Sequence, residues 1–520
     1  MNLKRFGRAP RKRVYFISPL NPDNFWTMQS SVDALGAKTT MPSITFATLL
    51  GLVPEELNIE CVYCDENISK IDWNITCDLV AITGYTIHWD RMKELSLLFK
   101  KRSVPVAIGG PFATLCPDQV KDYADHLFIG EAEYTWPRFL RGWMDDNTDL
   151  VYEQKTFVDI KDSKVTDWSF INGRDYLYFP VQTSRGCPNN CDFCDAIRLV
   201  GRRYRTKSID QVMTEIKNAH AAGAGVVFFS EDNFFVNKPF TIMLLNEIIK
   251  WNTMQARPLS FSTQATIKIG DDEEVLKLLA DAKFSVIFLG VESTRKACLE
   301  EVNKGHIFRH NPVKAVSRIS SYGIIPFIGL IVGFDHDDES TFNELEQFLE
   351  DTGSPICSVS ILNAPIGTTL YTRMKEQGRI KDDFEGEWHF SSNIIPLKTS
   401  AKELQTRHDK LVQKLYEPEN FERRTFKWLS NIQYFTDLYI HSKPNYPKLF
   451  KFFYVLKFYI FHEPKSVRQS LFRVLRKTWD INPKLIKKAV TIMSQYCHYY
   501  DSANKKVPMA IMETKFTTKK

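Results

Sequence analysis

Short apolar runs alternate with helical spacing along most of the chain. In residues 13–142 five runs read as buried strands: RVYFIS (13–18), NIECVYC (58–64), DLVAITGY (78–85), VPVAIGG (104–110) and DHLFIGE (125–131). Between them lie amphipathic stretches such as WDRMKELSLLFKKR (89–102), with Leu95, Leu98 and Phe99 at helical spacing. Nearly continuous apolar strands separated by helices predict a parallel sheet covered on both faces. Residues 143–176 are polar and punctuated (DDNTD, KDSK, NGRD) and predict an ordered linker. Residues 177–375 repeat the strand–helix rhythm six times. The strands fall at 178–184, 226–231, 259–265, 285–292, 324–333 and 357–364. Six such units predict a partial barrel, with its chemistry at the carboxyl ends of the strands. Residues 376–520 nearly lose glycine and gain aromatics and lysines, which predicts a mostly helical domain. There FKFFYVLKFYIF (450–461) reads either as a buried core helix or as a segment that meets a membrane interface or an apolar substrate.

Composition narrows the class. Of 520 residues 43% are hydrophobic and 25% charged, which excludes disordered, collagen-like and disulfide-dense chains. No apolar run reaches about 18 residues, so a polytopic membrane protein is excluded. Net charge is +6 but uneven: residues 401–520 carry 24 Lys and Arg against 10 Asp and Glu, leaving −8 on the first 400. Such a tail is a solvated basic face or one that meets an anionic partner. The basic start (Lys4, Arg5, Arg8) is followed by VYFISPLNPDNF, too short and polar for a signal-peptide core. A reducing cytoplasm is expected, with peripheral contact at the inner membrane face left open.

Of ten cysteines, three cluster. SRGCPNNCDFC (184–194) sets Cys187-x3-Cys191-x2-Cys194 just after the first barrel strand. Three thiolates so close can wrap one iron–sulfur cube, whereas structural zinc sites pair two cysteines with a second pair elsewhere. A cube held at three corners leaves one iron open to chemistry, so Cys187, Cys191 and Cys194 are the expected metal ligands and the catalytic centre. Cys61 and Cys64 lie three apart in a strand pattern and so face opposite sides; they read as small buried residues, as do Cys77 and Cys116.

CxxxCxxC with Phe193 before the last cysteine resembles the signature of the radical S-adenosylmethionine (SAM) superfamily. FFSEDNFF (228–235), GVES (290–293) and GLIVG (329–333) resemble its SAM-binding strand ends. APIGTTLY (364–371) resembles a segment of the subgroup with an N-terminal cobalamin domain. The tail resembles, more weakly, the accessory domain of the branch with the hopanoid C-2 methylases. The fold class implied is α/β: a Rossmann-like cobalamin-binding domain (1–142), a linker (143–176), a partial (β/α)6 radical SAM barrel (177–375) and a mostly helical domain (376–520). The resemblance implies a 4Fe–4S cluster, SAM and cobalamin as cofactors. Glu231 or Asp232 would meet the SAM ammonium, Glu292 and Ser293 its ribose, and Gly329, Ile331 and Gly333 its adenine. Thr83, Gly84 and Tyr85 would lie under the corrin, and Gly109 and Gly110 beside its nucleotide tail. GxGxxG is absent, so a dinucleotide is disfavoured. The loop after the second strand, Asp65-Glu66-Asn67-Ile68-Ser69, lacks the DxHxxG histidine, so cobalamin without His ligation from that loop is expected; His88 is the nearby alternative ligand.

The function implied is cobalamin-dependent methylation of an unactivated carbon in an apolar substrate, a lipid or hopanoid-like molecule among the candidates. The alternatives are a radical SAM cyclase or rearrangement enzyme, an RNA methylthiotransferase, and a metal-stabilised nucleic-acid binder. Expected partners are a small-molecule or lipid substrate and an electron donor such as flavodoxin or ferredoxin. Nucleic acid is disfavoured because no binding module is recognisable.

Overall fold

A computed structural model describes residues 12–22, 24–381, 389–436, 438–439, 446–462 and 464–504. Six parallel strands form the first sheet: β1 (Lys12–Ser18), β2 (Ile59–Asp65), β3 (Leu79–Thr83), β4 (Val106–Gly109), β5 (His126–Ile129) and β6 (Val151–Glu153). Their order is β2-β1-β3-β4-β5-β6. The strand order reverses at β1, and in such sheets ligands bind at the carboxyl ends of the strands at that point, here β1 and β3. Strand alternation divides the core. Val14, Phe16, Cys61 and Leu79 pack on one face, with Phe46 and Trp136. Tyr15, Ile17, Cys64 and Val80 pack on the other, with Met92, Leu95 and Phe99 of the helix Trp89–Lys100. Cys61 and Cys64 thus lie on opposite sides of the sheet. β6 comes from the expected linker; at three residues, two of them exposed, it carries too little apolar pattern to be read as a strand.

The second sheet begins with β7 (Phe179–Val181). A small antiparallel hairpin follows, β8 (Ser184–Arg185) with β9 (Arg205–Thr206), and the cysteine loop runs between its strands. Then come β10 (Val226–Phe229), β11 (Ser260–Ala265), β12 (Phe284–Glu292), β13 (Ile325–Val332) and β14 (Ile356–Ile361). The order β14-β13-β12-β11-β10-β7 is sequential and parallel, the pattern of six βα units in an open barrel. Ile287, Leu289, Ile328 and Leu330 are fully buried on its outer layer. Their neighbours Phe288 and Phe327 therefore face inward.

Among the described residues the tail forms five helices: Ala401–Tyr416, Pro418–Asn431, Tyr446–Phe461, Lys465–Ile481 and Ile486–Ala503. They bind the barrel and the first domain together. Trp428 donates to the Ile324 carbonyl at 3.2 Å, and buried Arg424 donates to the carbonyls of Ser354 and Leu415. From the last helix His498 Nε2 meets the Phe25 carbonyl at 2.7 Å, and Asp501 accepts from Ser30 Oγ at 2.7 Å. The turn Phe25–Thr27, held by its Asn24 cap, then reaches the inside of the barrel. The Trp26 ring lies 6.1 Å from Phe288, 6.2 Å from Phe327 and 5.1 Å from His389. No helix of the described residues is long and apolar enough to cross a membrane.

Candidate active site

The cysteine loop is fixed at both ends by its neighbours. Gly186 has φ +94°, and a Cβ there would run into the Arg203 carbonyl. The Gly186 amide donates to Asp232 Oδ2 at 2.9 Å, so Asp232 ties the loop to the end of β10. Arg185 pairs with Glu131 at 2.8 Å and Glu133 at 2.7 Å, both from the loop after β5. Asp192 is held by the Arg373 guanidinium at 2.6 Å, and its carbonyl accepts from the Leu370 amide. The resembling segment 364–371 thus braces the cysteines. All three thiols are free of disulfides; Cys187 and Cys191 are buried and Cys194 half-buried. Burial raises each thiol, Cys194 to about 11, so metal binding must displace their protons. Among the described residues no three His, Cys, Asp or Glu converge on a single ion.

Around this loop stand the ends of β10, β12 and β13. Glu231 is buried; one oxygen accepts from the Thr183 amide at 2.9 Å, and the other has no partner among the described residues. Burial raises its carboxyl to about 7. A buried carboxylate oxygen without a donor fits the SAM ammonium. Glu292 stands at φ +64°, unusual for a residue with a Cβ, where the pairing of β12 with β13 shifts register. Its Oε1 accepts from Lys304 Nζ at 2.6 Å. Burial alone would lower the Lys304 ammonium, but Glu292, Cys191 and Cys194 outweigh it and hold the group above the ordinary lysine value. The ammonium also lies 5.7 Å from the centre of the Phe193 ring. Lys304 was not legible as a site residue: one lysine in a polar turn (NKGH) looks like solvated surface. Ser293 is buried, and its Oγ accepts from the Arg295 amide at 3.1 Å, a local capping bond. A Cβ on Gly329 would stand 2.7 Å from Phe288 Cζ, so glycine there makes room for the Phe288 ring. Gly333 has φ +98°, and its amide donates to Asp337. Ile331 and Phe193 pack beside one small apolar cluster with Phe334 and Leu362.

At the first sheet, Thr83 ends β3 with its hydroxyl buried and unpartnered among the described residues. Gly110 has φ +90°, and a Cβ there would collide with that hydroxyl. A Cβ on Gly84 would stand 2.7 Å from Met92 Sδ, and one on Gly109 3.0 Å from Phe128 Cβ. This glycine cradle packs against the chain's own Met92, Phe128 and Thr83, and the orphan Thr83 hydroxyl is the polar group it offers a ligand. Tyr85 is 60% exposed, yet burial among neighbouring chain segments, with Asp195 and Asp232, raises its phenol. Its ring therefore stands near Asp195 and Asp232, at the cysteine loop. His88 Nδ1 accepts from the Tyr85 amide at 3.0 Å, and Nε2 meets Asn21 Oδ1 at 2.8 Å. Both ring nitrogens are engaged, and burial lowers the imidazole to about 4.

The radical SAM superfamily model matches residues 181–349, and a domain of unknown function, DUF4070, matches 368–508. An uncharacterized methyltransferase of Synechocystis sp. is 30% identical over 80% of this chain and 78% of its own length. The chain belongs to the radical SAM superfamily. The hopanoid C-2 methylase of Rhodopseudomonas palustris is 29% identical, covering 72% of each chain. Among solved structures, the cobalamin-dependent SAM radical enzyme OxsB aligns with TM-score 0.60 at 14% identity, over 95% of this chain and 80% of that one. That likeness is one of fold. It matches a radical SAM architecture of parallel α/β sheets with helical additions.

Proposed function

We propose that this chain is a cobalamin-dependent radical SAM methyltransferase that methylates an unactivated carbon of an apolar, ring-bearing substrate. The observation that carries the reading is the placing of one loop with three free thiols between the end of β10, to which Asp232 ties it, and the Lys304–Glu292 pair. A 4Fe–4S cluster would supply the electron that opens the SAM sulfonium, and cobalamin would carry the methyl group. Cys187, Cys191 and Cys194 would ligate the cluster. Glu231 would accept hydrogen bonds from the SAM ammonium. Lys304, paired with Glu292, would offer a cation to the SAM carboxylate, and Glu292 an acceptor to its ribose. Gly329, Ile331 and Gly333 would meet its adenine. Thr83, Gly84, Tyr85, Gly109 and Gly110 would seat the corrin and its tail.

The inward rings support this substrate class. Trp26 is 48% exposed while packed beside Phe288 and Phe327. An aromatic wall in the barrel favours a flat or multi-ring molecule and excludes water from the radical. The relatives named as methyltransferases, one of them for hopanoids, point the same way. An external one-electron donor such as flavodoxin or ferredoxin completes the turnover.

The test is anaerobic reconstitution followed by a corrinoid absorbance spectrum and assays for 5′-deoxyadenosine and S-adenosylhomocysteine. Both products with bound corrinoid are expected. Deoxyadenosine alone, with no isotope from the SAM methyl in product, overturns methyl transfer in favour of a cyclase.

A further inference from the structure

The catalytic reading leaves the helices Tyr446–Phe461 and Lys465–Ile481 unexplained. Most other exposed aromatic side chains have local work. Trp26 and Tyr85 line the candidate site, Tyr134 donates to Asp162, and Phe157 covers Gly201 and stacks on Arg205. On these two helices the case differs. Phe461 is 76% exposed and Trp479 63%, and Phe453, Ile460 and Phe472 are also exposed. The first helix buries Val455 and Tyr459 and turns Phe453, Lys457 and Ile460 outward at helical spacing. The second buries Val467, Leu471, Val474 and Thr478 and turns Lys465, Phe472, Arg476 and Trp479 outward.

The charge along these helices is mostly positive. In the sequence, residues 446–481 hold eight Lys and Arg against Glu463 and Asp480. Arg473 is paired with Glu422, but Lys457, Lys465, Arg476 and Lys477 take part in no ion pair among the described residues. A cavity of about 600 Å³ opens beside the first helix, lined by Tyr454, Lys457, Phe458 and Phe461 together with the acids Asp33 and Asp501. Large aromatics among unpaired cations are costly in water. They are at home where acyl chains meet anionic headgroups.

We propose that this face is an interfacial docking surface for an anionic lipid bilayer. The rings of Phe461, Phe472 and Trp479 enter the headgroup layer, and Lys457, Lys465 and Arg476 meet its phosphates. The inference goes beyond the catalytic reading and stands whichever substrate the barrel takes. Neither helix spans the bilayer; the contact is peripheral and weakened by salt.

The experiment is flotation of the full-length, anaerobically reconstituted protein with phosphatidylcholine vesicles, with and without phosphatidylglycerol. Flotation only with the anionic vesicles is expected, falling as salt is raised. F461S/W479S should weaken partitioning at least tenfold. K465E/R476E should weaken it roughly fivefold per altered charge. Both variants should keep the wild-type rate of 5′-deoxyadenosine formation, which separates lost docking from a lost active site. Three results would overturn the proposal: no flotation of the wild type with anionic vesicles, unchanged flotation of both variants, or a concentration-dependent dimer that the same variants dissolve.

Discussion

Lys304 lies buried within hydrogen-bond reach of Glu292 and within electrostatic reach of Cys191 and Cys194. Removing it strands a carboxylate away from water. Lys304→Met should cost about 3–5 kcal/mol in denaturant titration, and SAM affinity should fall with it. Adding Glu292→Gln should recover much of the stability but not the affinity; recovery of neither would show that the pair is not coupled. Glu231 gives a pH signature. Its folded carboxyl titrates near 7, above its ordinary value, so the SAM-free fold takes up a proton there. That group's effect on stability is therefore most favourable below the ordinary carboxyl range and declines as pH rises toward 7. The SAM ammonium favours the charged form, so SAM affinity should rise through the same window. Both trends should flatten in Glu231→Gln, measured by thermal melts and calorimetry. His88 already spends both ring nitrogens on Tyr85 and Asn21. Electron paramagnetic resonance of bound cob(II)alamin should show no histidine nitrogen splitting, and His88→Ala should leave the corrinoid spectrum unchanged.

At the scale of elements, the glycines at the strand ends act through backbone shape. Gly110→Ala combines a strained φ with a collision at Thr83. Strain of about 1–3 kcal/mol should lower corrinoid affinity roughly 5- to 150-fold, read by absorbance after gel filtration. Unchanged corrinoid retention would move the ligand off this cradle. The strands were legible because their apolar runs are almost uninterrupted: Val14 through Ile17 and Ile325 through Val332 have few polar positions to blur them. The cysteine triplet was legible because three metal-binding side chains in eight residues are rare by chance. β6 was not, because Tyr152 alone of its residues is buried. Nor was the Lys304–Glu292 pair, whose members come from a strand end and a polar turn. Glu131 and Glu133 read as strand-end residues of the first domain; the structure shows them gripping Arg185, a long-range pairing that no local pattern announces.

Across the whole molecule, that grip joins the first sheet to the cysteine loop. Burial would raise the Glu133 carboxyl, but Arg185 outweighs it and holds it below its ordinary value. Its contribution to stability is present above the ordinary glutamate range and is lost as pH falls through the lowered value. Glu133→Gln should therefore shed iron during anaerobic gel filtration at neutral pH, a loss expected of the wild type only in acid. Full iron retention would confine the pair to a structural role. The turn Phe25–Thr27 makes a second joint, because Trp26 of the first domain stands among rings inside the barrel. One half of the protein thus supplies part of the reaction chamber that belongs by topology to the other. Chimaeras between relatives should inherit substrate preference from both parents, and a graft that exchanged only the amino-terminal module would change what fits beside the radical as well as which corrinoid is carried.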